Sequence, residues 1–94
     1  GEAEGRVETV PLALSEPLLS VNADASAGEL RVELIDPSGE PLSGYSAAEC
    51  RPIRVDGLRL HPTWPAGPPP LGRLLRLRFL LRNARLFSWS AVST

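Results

Sequence analysis

The chain predicts an all-β domain, a two-sheet antiparallel β-sandwich of jelly-roll-like arrangement with about seven short strands. Three observations predict it. In Leu75-Arg76-Leu77-Arg78-Phe79-Leu80-Leu81-Arg82 the odd positions are all apolar and the even ones mostly cationic, the period-2 pattern of a strand with one face in a core. Ten prolines and eight glycines are scattered so that hardly any long window is free of helix breakers. Turn-forming residues recur at roughly ten-residue spacing, which leaves room for strands and little else.

In chain order, strands are expected over residues 6–14, 18–24, 29–35, 42–46, 53–64 with an interruption at Asp56-Gly57, 74–82 and 86–92. Alternation points Leu19, Val21 and Ala23 inward from the second, and Leu30, Val32 and Leu34 from the third. Asp36-Pro37-Ser38-Gly39 sets Pro at the second turn position and ends on Gly, so 29–35 should fold back as a hairpin onto 42–46. Ser46 to Cys50 predicts a single helical turn capped by the Ser46 hydroxyl, with Glu49 placed to return the bond; Pro52 ends it. Pro65-Ala66-Gly67-Pro68-Pro69-Pro70 is too proline-dense to pair in a sheet and reads as an extended, solvated spacer loop. Leu75, Leu77, Phe79 and Leu81 face the core from the next strand, and Phe87 and Trp89 share a packed face with Ala91 on the last.

Ninety-four residues suffice for a single sandwich domain spanning 1–94, and the sequence reads as one excised from a larger protein. A net charge of −1 offers no global field for nucleic acid or an anionic membrane. No apolar stretch approaches the roughly 20 residues a spanning helix needs, and the acidic start has no signal-peptide character. Neither nucleic acid nor membrane is therefore an expected partner. Cys50 is the single cysteine, so no disulfide within the chain staples the fold; it is expected to be a packed, slowly reacting thiol.

All ten basic residues are arginine, and Arg73, Arg76, Arg78, Arg82 and Arg85 crowd into one short stretch. If strands 29–35 and 74–82 are neighbours, Glu29 and Glu33 face these arginines across the ladder, and the stripe is a solvated, charge-paired face. The competing reading is a docking surface for a polyanion or other anionic partner.

Chemistry is sparse. His61, the one histidine, lies in Leu60-His61-Pro62 on a strand face with few groups to converge on, and joining it with Cys50 would not close a tetrahedral metal site. Asp24, Asp36 and Asp56 could offer loop oxygens to calcium, yet no run has the acidic spacing of a calcium loop, so no metal or cofactor is expected. No serine is framed in a Gly-x-Ser-x-Gly elbow, and a convex sandwich lacks the long loops of a water-excluding cleft. The expectation is a protein that is not an enzyme. Among the aromatics, Trp64, Trp89 and Tyr45 are the candidates for carbohydrate or interdomain contact. Trp64, just before the proline loop, is the one placed to be exposed, although core or interface burial is the commoner fate of such a tryptophan.

Several strings taken together, Thr9-Val10-Pro11-Leu12, Leu19-Ser20-Val21-Asn22-Ala23, Gly28-Glu29-Leu30-Arg31-Val32-Glu33-Leu34, Gly39-Glu40-Pro41-Leu42-Ser43-Gly44-Tyr45-Ser46, Glu49-Cys50, Trp64, Leu77-Arg78-Phe79 and Asn83-Ala84-Arg85-Leu86-Phe87-Ser88, resemble a known kind of domain. It is the carboxy-terminal β-sandwich that follows a glycoside-hydrolase-type β-propeller in secreted proteins similar to invertases, levanases and sialidases. The resemblance spans nearly the whole chain and departs at the loop after Trp64, where such domains usually carry glycine and lysine. It implies a noncatalytic accessory module that packs on and stabilises a glycosidase-like neighbouring domain, in an extracellular or lumenal setting. Two alternatives stand beside it, a carbohydrate-binding module and a protein-interaction domain using the arginine-rich strand face.

Overall fold

The structure, a computed structural model, describes residues 4–93. Its strands are β1 (Glu4–Glu8), β2 (Leu12–Ala13), β3 (Leu18–Asp24), β4 (Glu29–Ile35), β5 (Asp56–Leu60), β6 (Leu74–Arg82) and β7 (Arg85–Val92). They form two antiparallel sheets. In one, β6 lies at the centre with β4 along one edge and β1 followed by β2 along the other; in the second the order is β5-β3-β7. Each connection after β2 carries the chain from one sheet to the other, the alternation of a jelly-roll-like sandwich.

The apolar alternation builds the core between the sheets. Leu30, Val32 and Leu34 meet Leu75, Leu77 and Phe79 on the inner face of one sheet, and Leu19, Val21 and Ala23 supply the other, all buried; Leu81 packs at the margin. Phe79 reaches across to Trp89, with ring centroids 6.2 Å apart. At roughly 25 cal/mol per Å² of apolar area removed from water, this layer is the main stabilising term.

The tight turns follow their local chemistry. Gly39 N–H donates to the Asp36 carbonyl at 2.9 Å, and Gly39 sits at φ 101°, a conformation glycine alone adopts without strain. Asp36 Oδ1 accepts from the Ser38 and Glu40 amides and the Ser38 hydroxyl. Ser46 to Cys50 makes the expected single helical turn: the Cys50 and Glu49 amides donate to the Ser46 carbonyl, and Ser46 Oγ bonds Glu49 Oε1 at 2.8 Å. Gly28 turns β3 into β4 against β6, where a Cβ would run into the Arg82 carbonyl oxygen.

Five expectations need correction. The first strand is not continuous over 6–14: it breaks at Thr9 to Pro11, because Pro11 has no N–H, and Thr9 Oγ1 stands in for a ladder carbonyl by accepting from the Leu77 amide at 3.0 Å. The stretch 42–46 is no strand; after the isolated bridge Ile35↔Pro41, Gly44 at φ 91° turns the chain, and it returns to β4 through Tyr45. The stretch 53–64 shrinks to β5, which begins at the supposed interruption, leaves Ile53 as a bridge to Leu30 and ends ahead of Pro62. His61 thus lies beyond the strand, exposed, with Nδ1 2.9 Å from the Leu19 carbonyl oxygen. The proline loop is also less solvated than expected: Pro69 is buried, and the Pro68 carbonyl accepts from the Tyr45 hydroxyl at 2.8 Å.

The fifth correction concerns β7. Asn22 pairs with Ser88 and Ala23 with Leu86, so Phe87 is the extra residue of a β-bulge and turns to solvent, 60% exposed, instead of packing with Trp89 and Ala91. A second bulge lies on the other side of β3 at the same level. Val21 pairs with Leu60 and Ala23 with Gly57, which leaves both Leu58 and Arg59 exposed opposite Asn22.

Candidate functional site

Trp64 is 5% exposed and belongs to the core. Its indole Nε1 donates to the Val32 carbonyl at 3.2 Å, and its ring meets Tyr45 edge to face, centroids 5.5 Å apart. These bonds are part of a larger arrangement along the free edge of β4. Leu30 exchanges both backbone bonds with Ile53, the Val32 amide donates to Cys50 Sγ at 3.4 Å, and Leu34 bonds Tyr45 and Leu42. Every outward backbone group of Leu30, Val32 and Leu34 is thereby satisfied by a loop or a side chain. Trp64, Tyr45 and Cys50 replace a missing neighbouring strand.

The same geometry explains the thiol. Cys50 is buried, and burial pushes its pKa up, with the Val32 amide acting the other way. Trp89 is half-buried against Phe79 in the opposite sheet, so Trp64, Trp89 and Tyr45 do not share an exposed ring surface.

Strand pairing divides the five clustered arginines. Arg76, Arg78 and Arg82 lie on the outer face of β6, Arg73 precedes the strand, and Arg85 begins β7 in the other sheet, opposite Asp24. On the outer face of β6 the register makes three rows: Glu4, Arg82 and Glu29; Arg6, Leu80 and Arg31; Glu8, Arg78 and Glu33. The charges alternate within the first and third rows, and from row to row along β1 and along β4. Arg78 donates through Nε to Glu8 at 2.6 Å and through Nη1 to Glu33 at 2.8 Å, while Glu29 holds Arg31 at 2.8 Å and Arg54 at 3.2 Å. A groove of about 440 Å³ crosses the first two rows, lined by both carboxylates and guanidiniums. The face is charge-balanced where a polyanion site would be uniformly positive.

These contacts make stability depend on pH. The Arg78 guanidinium holds the Glu8 carboxyl below its ordinary range, Arg31 does the same to Glu29, and hydroxyl and amide donors lower Asp24 (through Ser26) and Asp36 (through Ser38). Folded pKa values below the unfolded ones stabilise the fold above the unfolded carboxylate range, and that stability is lost as pH falls through the folded values. The urea midpoint should therefore be flat from neutrality to about pH 5 and fall steadily below about pH 4. One molar salt should weaken the Glu8 and Glu29 share and act less on Asp24 and Asp36, whose hydrogen-bond donors are neutral. A midpoint that rises on acidification would contradict these pairs.

The feature that sequence reasoning missed is the outer face of β5-β3-β7. Leu18, Ser20 and Asn22 run along its middle, with Ser88, Ser90 and Val92 opposite them on β7. The two bulges add Phe87 on one side and Leu58, 76% exposed, on the other. Charges are confined to Arg59 and to the end formed by Asp24, Asp56 and Arg85. Gly57 inside a strand was the available signal, since glycine there often marks a bulge.

Among the described residues no group of three or more His, Cys, Asp or Glu side chains is placed to hold a metal ion, and no helix is long and apolar enough to cross a membrane. No protein-family model, curated protein or solved structure matches the chain.

Proposed function

We propose that the chain is a noncatalytic accessory β-sandwich module that packs on a glycosidase-like neighbouring domain through the outer face of β5-β3-β7. The observation that carries the reading is the contrast between the two outer faces. One is a lattice of opposite charges that pair with each other. The other presents exposed Phe87 and Leu58 amid serines and Asn22, with Arg59 beside Leu58 and the remaining charges at the end formed by Asp24, Asp56 and Arg85. Apolar side chains set among short uncharged polar ones are what the buried centre of an interdomain contact requires, because no charge has to be stripped of water. The glycosidase-like nature of the neighbour rests on the sequence resemblance.

Catalysis has little support in the geometry. His61 is exposed and turned to the Leu19 carbonyl, and among the described residues no serine or carboxylate hydrogen-bonds its ring. Carbohydrate binding through Trp64 has lost its platform to the core. Of the β6 arginines, Arg78 at the middle of the face is already held by Glu8 and Glu33.

Titrating the chain with its separately produced neighbouring domain tests the reading. Leu58→Glu together with Phe87→Glu should weaken binding by roughly thirtyfold or more, about 2 kcal/mol, without lowering the unfolding midpoint. Arg82→Ala should change binding little, and the chain alone should hydrolyse no glycoside. Micromolar binding of a sugar by the chain alone, with no affinity for the neighbour, would overturn the proposal.

A further inference from the structure

A sandwich exposes the edges of its outermost strands, and three of the four here are guarded against pairing with another chain. The β4 edge is sealed by Ile53, Cys50, Trp64, Tyr45 and Leu42. The β1–β2 edge carries Glu4, Arg6 and Glu8 and is broken by Pro11. The β5 edge is five residues long, bulged, carries Asp56 and Arg59, and is closely followed by Pro62. Short length, charge, proline and bulges are the usual devices against edge pairing.

The β7 edge has none of them past its bulge. It is the last strand of its sheet, eight residues long, with no charge or proline from Leu86 to Val92. Its outward backbone groups have no partner among the described residues. A row of free N–H and C=O groups on an extended strand is complementary to one thing, another extended strand.

We infer that β7 pairs antiparallel with β7 of a second copy of this chain, joining the two three-stranded sheets into one continuous sheet. This goes beyond the proposed docking role, because it uses the strand edge where that role uses the sheet face. The register follows from the side chains. Beyond the bulge, 88–92 alternates regularly: Ser88, Ser90 and Val92 face out, while Trp89 and Ala91 face the core side. A two-fold axis at Ser90 keeps every inward residue opposite an inward one and sets the large indole of Trp89 against the small Ala91 of the other copy. Ser90 then meets its own counterpart, and Ser88 meets Val92. A shift of one residue would put Trp89 opposite an outward serine. An axis at Trp89 would oppose the two indoles and bring the bulged Phe87 against Ala91. The contact is short, so the dimer should be a weak, concentration-dependent one.

Sedimentation velocity from about 5 to about 500 μM tests this, over the range where weak contacts populate. The average mass should climb toward twice the monomer. Ser90→Lys, which places like charges opposite each other on an exposed position, should weaken association roughly tenfold or more. Ser90→Cys should cross-link to a disulfide dimer under mild oxidation, since directly opposed residues in an antiparallel pair lie about 4.5–5.5 Å apart, within disulfide reach. Ser88→Cys should not, because it lies opposite Val92 and its counterpart is four positions along the strand. Cys50, buried and with its thiol pKa raised, does not compete. A wild-type chain that stays monomeric throughout, or Ser88→Cys cross-linking as readily as Ser90→Cys, overturns the inference.

Discussion

Phe79→Ala is expected to lower the unfolding free energy by about 3–5 kcal/mol, a large part of what a domain of this size possesses. Phe79 is fully buried at the middle of β6, flanked in register by Val7 and Val32, and it bridges the sheets through Trp89. No neighbour can collapse into the space it would leave without pulling the sheets together. Arg78→Ala, one residue along, should cost less than half as much. It removes two ion pairs at a partly exposed site and leaves Glu33 still accepting from the Ala47 amide at 2.9 Å. Urea denaturation of the two variants checks the ranking, and the reverse order would mean that β6 presents its other face to the core.

Trp64→Ala should be of similar size, about 3–5 kcal/mol, for a different reason. Besides its volume, the indole supplies the donor that satisfies the Val32 carbonyl and the face against which Tyr45 packs. Its loss opens the guarded β4 edge, so the variant should also aggregate more readily. Trp64→Phe separates these contributions: keeping most of the volume and losing the donor, it should cost about 1–3 kcal/mol. Should Trp64→Ala prove nearly neutral in denaturation and abolish binding of a sugar, the residue is a contact platform and its assigned place in the core is wrong.

The parts of this fold legible in the sequence are those decided by neighbours in the chain. Alternation in Leu75 to Arg82 gave the face of β6 correctly, because a one-residue slip would bury its arginines. The Asp36 to Gly39 turn was equally plain, since one carboxylate and one glycine specify it. What could not be read depends on partners distant in sequence. Phe87 looks inward by simple alternation from Trp89, and only the pairing with Asn22 and Ala23 reveals the bulge that turns it out. Trp64 looks available beside a proline loop until Val32 and Tyr45 are known to lie against it. The arginine stripe was half legible: its acidic partner Glu33 was foreseen, whereas Glu8 enters through the pairing of β1 with β6.

The proposed working surface is therefore the plain outer face of β5-β3-β7, where neither an aromatic platform nor the arginine stripe of β6 lies. Hydroxyl-radical footprinting of the chain alone and joined to the proposed glycosidase-like neighbour probes that directly. The account predicts that Phe87 and Leu58, both open to solvent in the isolated domain, lose reactivity on joining, and that Leu80 in the charged face keeps its reactivity. Phe87 and Leu58 staying as reactive in the joined protein as in the isolated domain, with protection falling on Leu80 among the arginines, would contradict it.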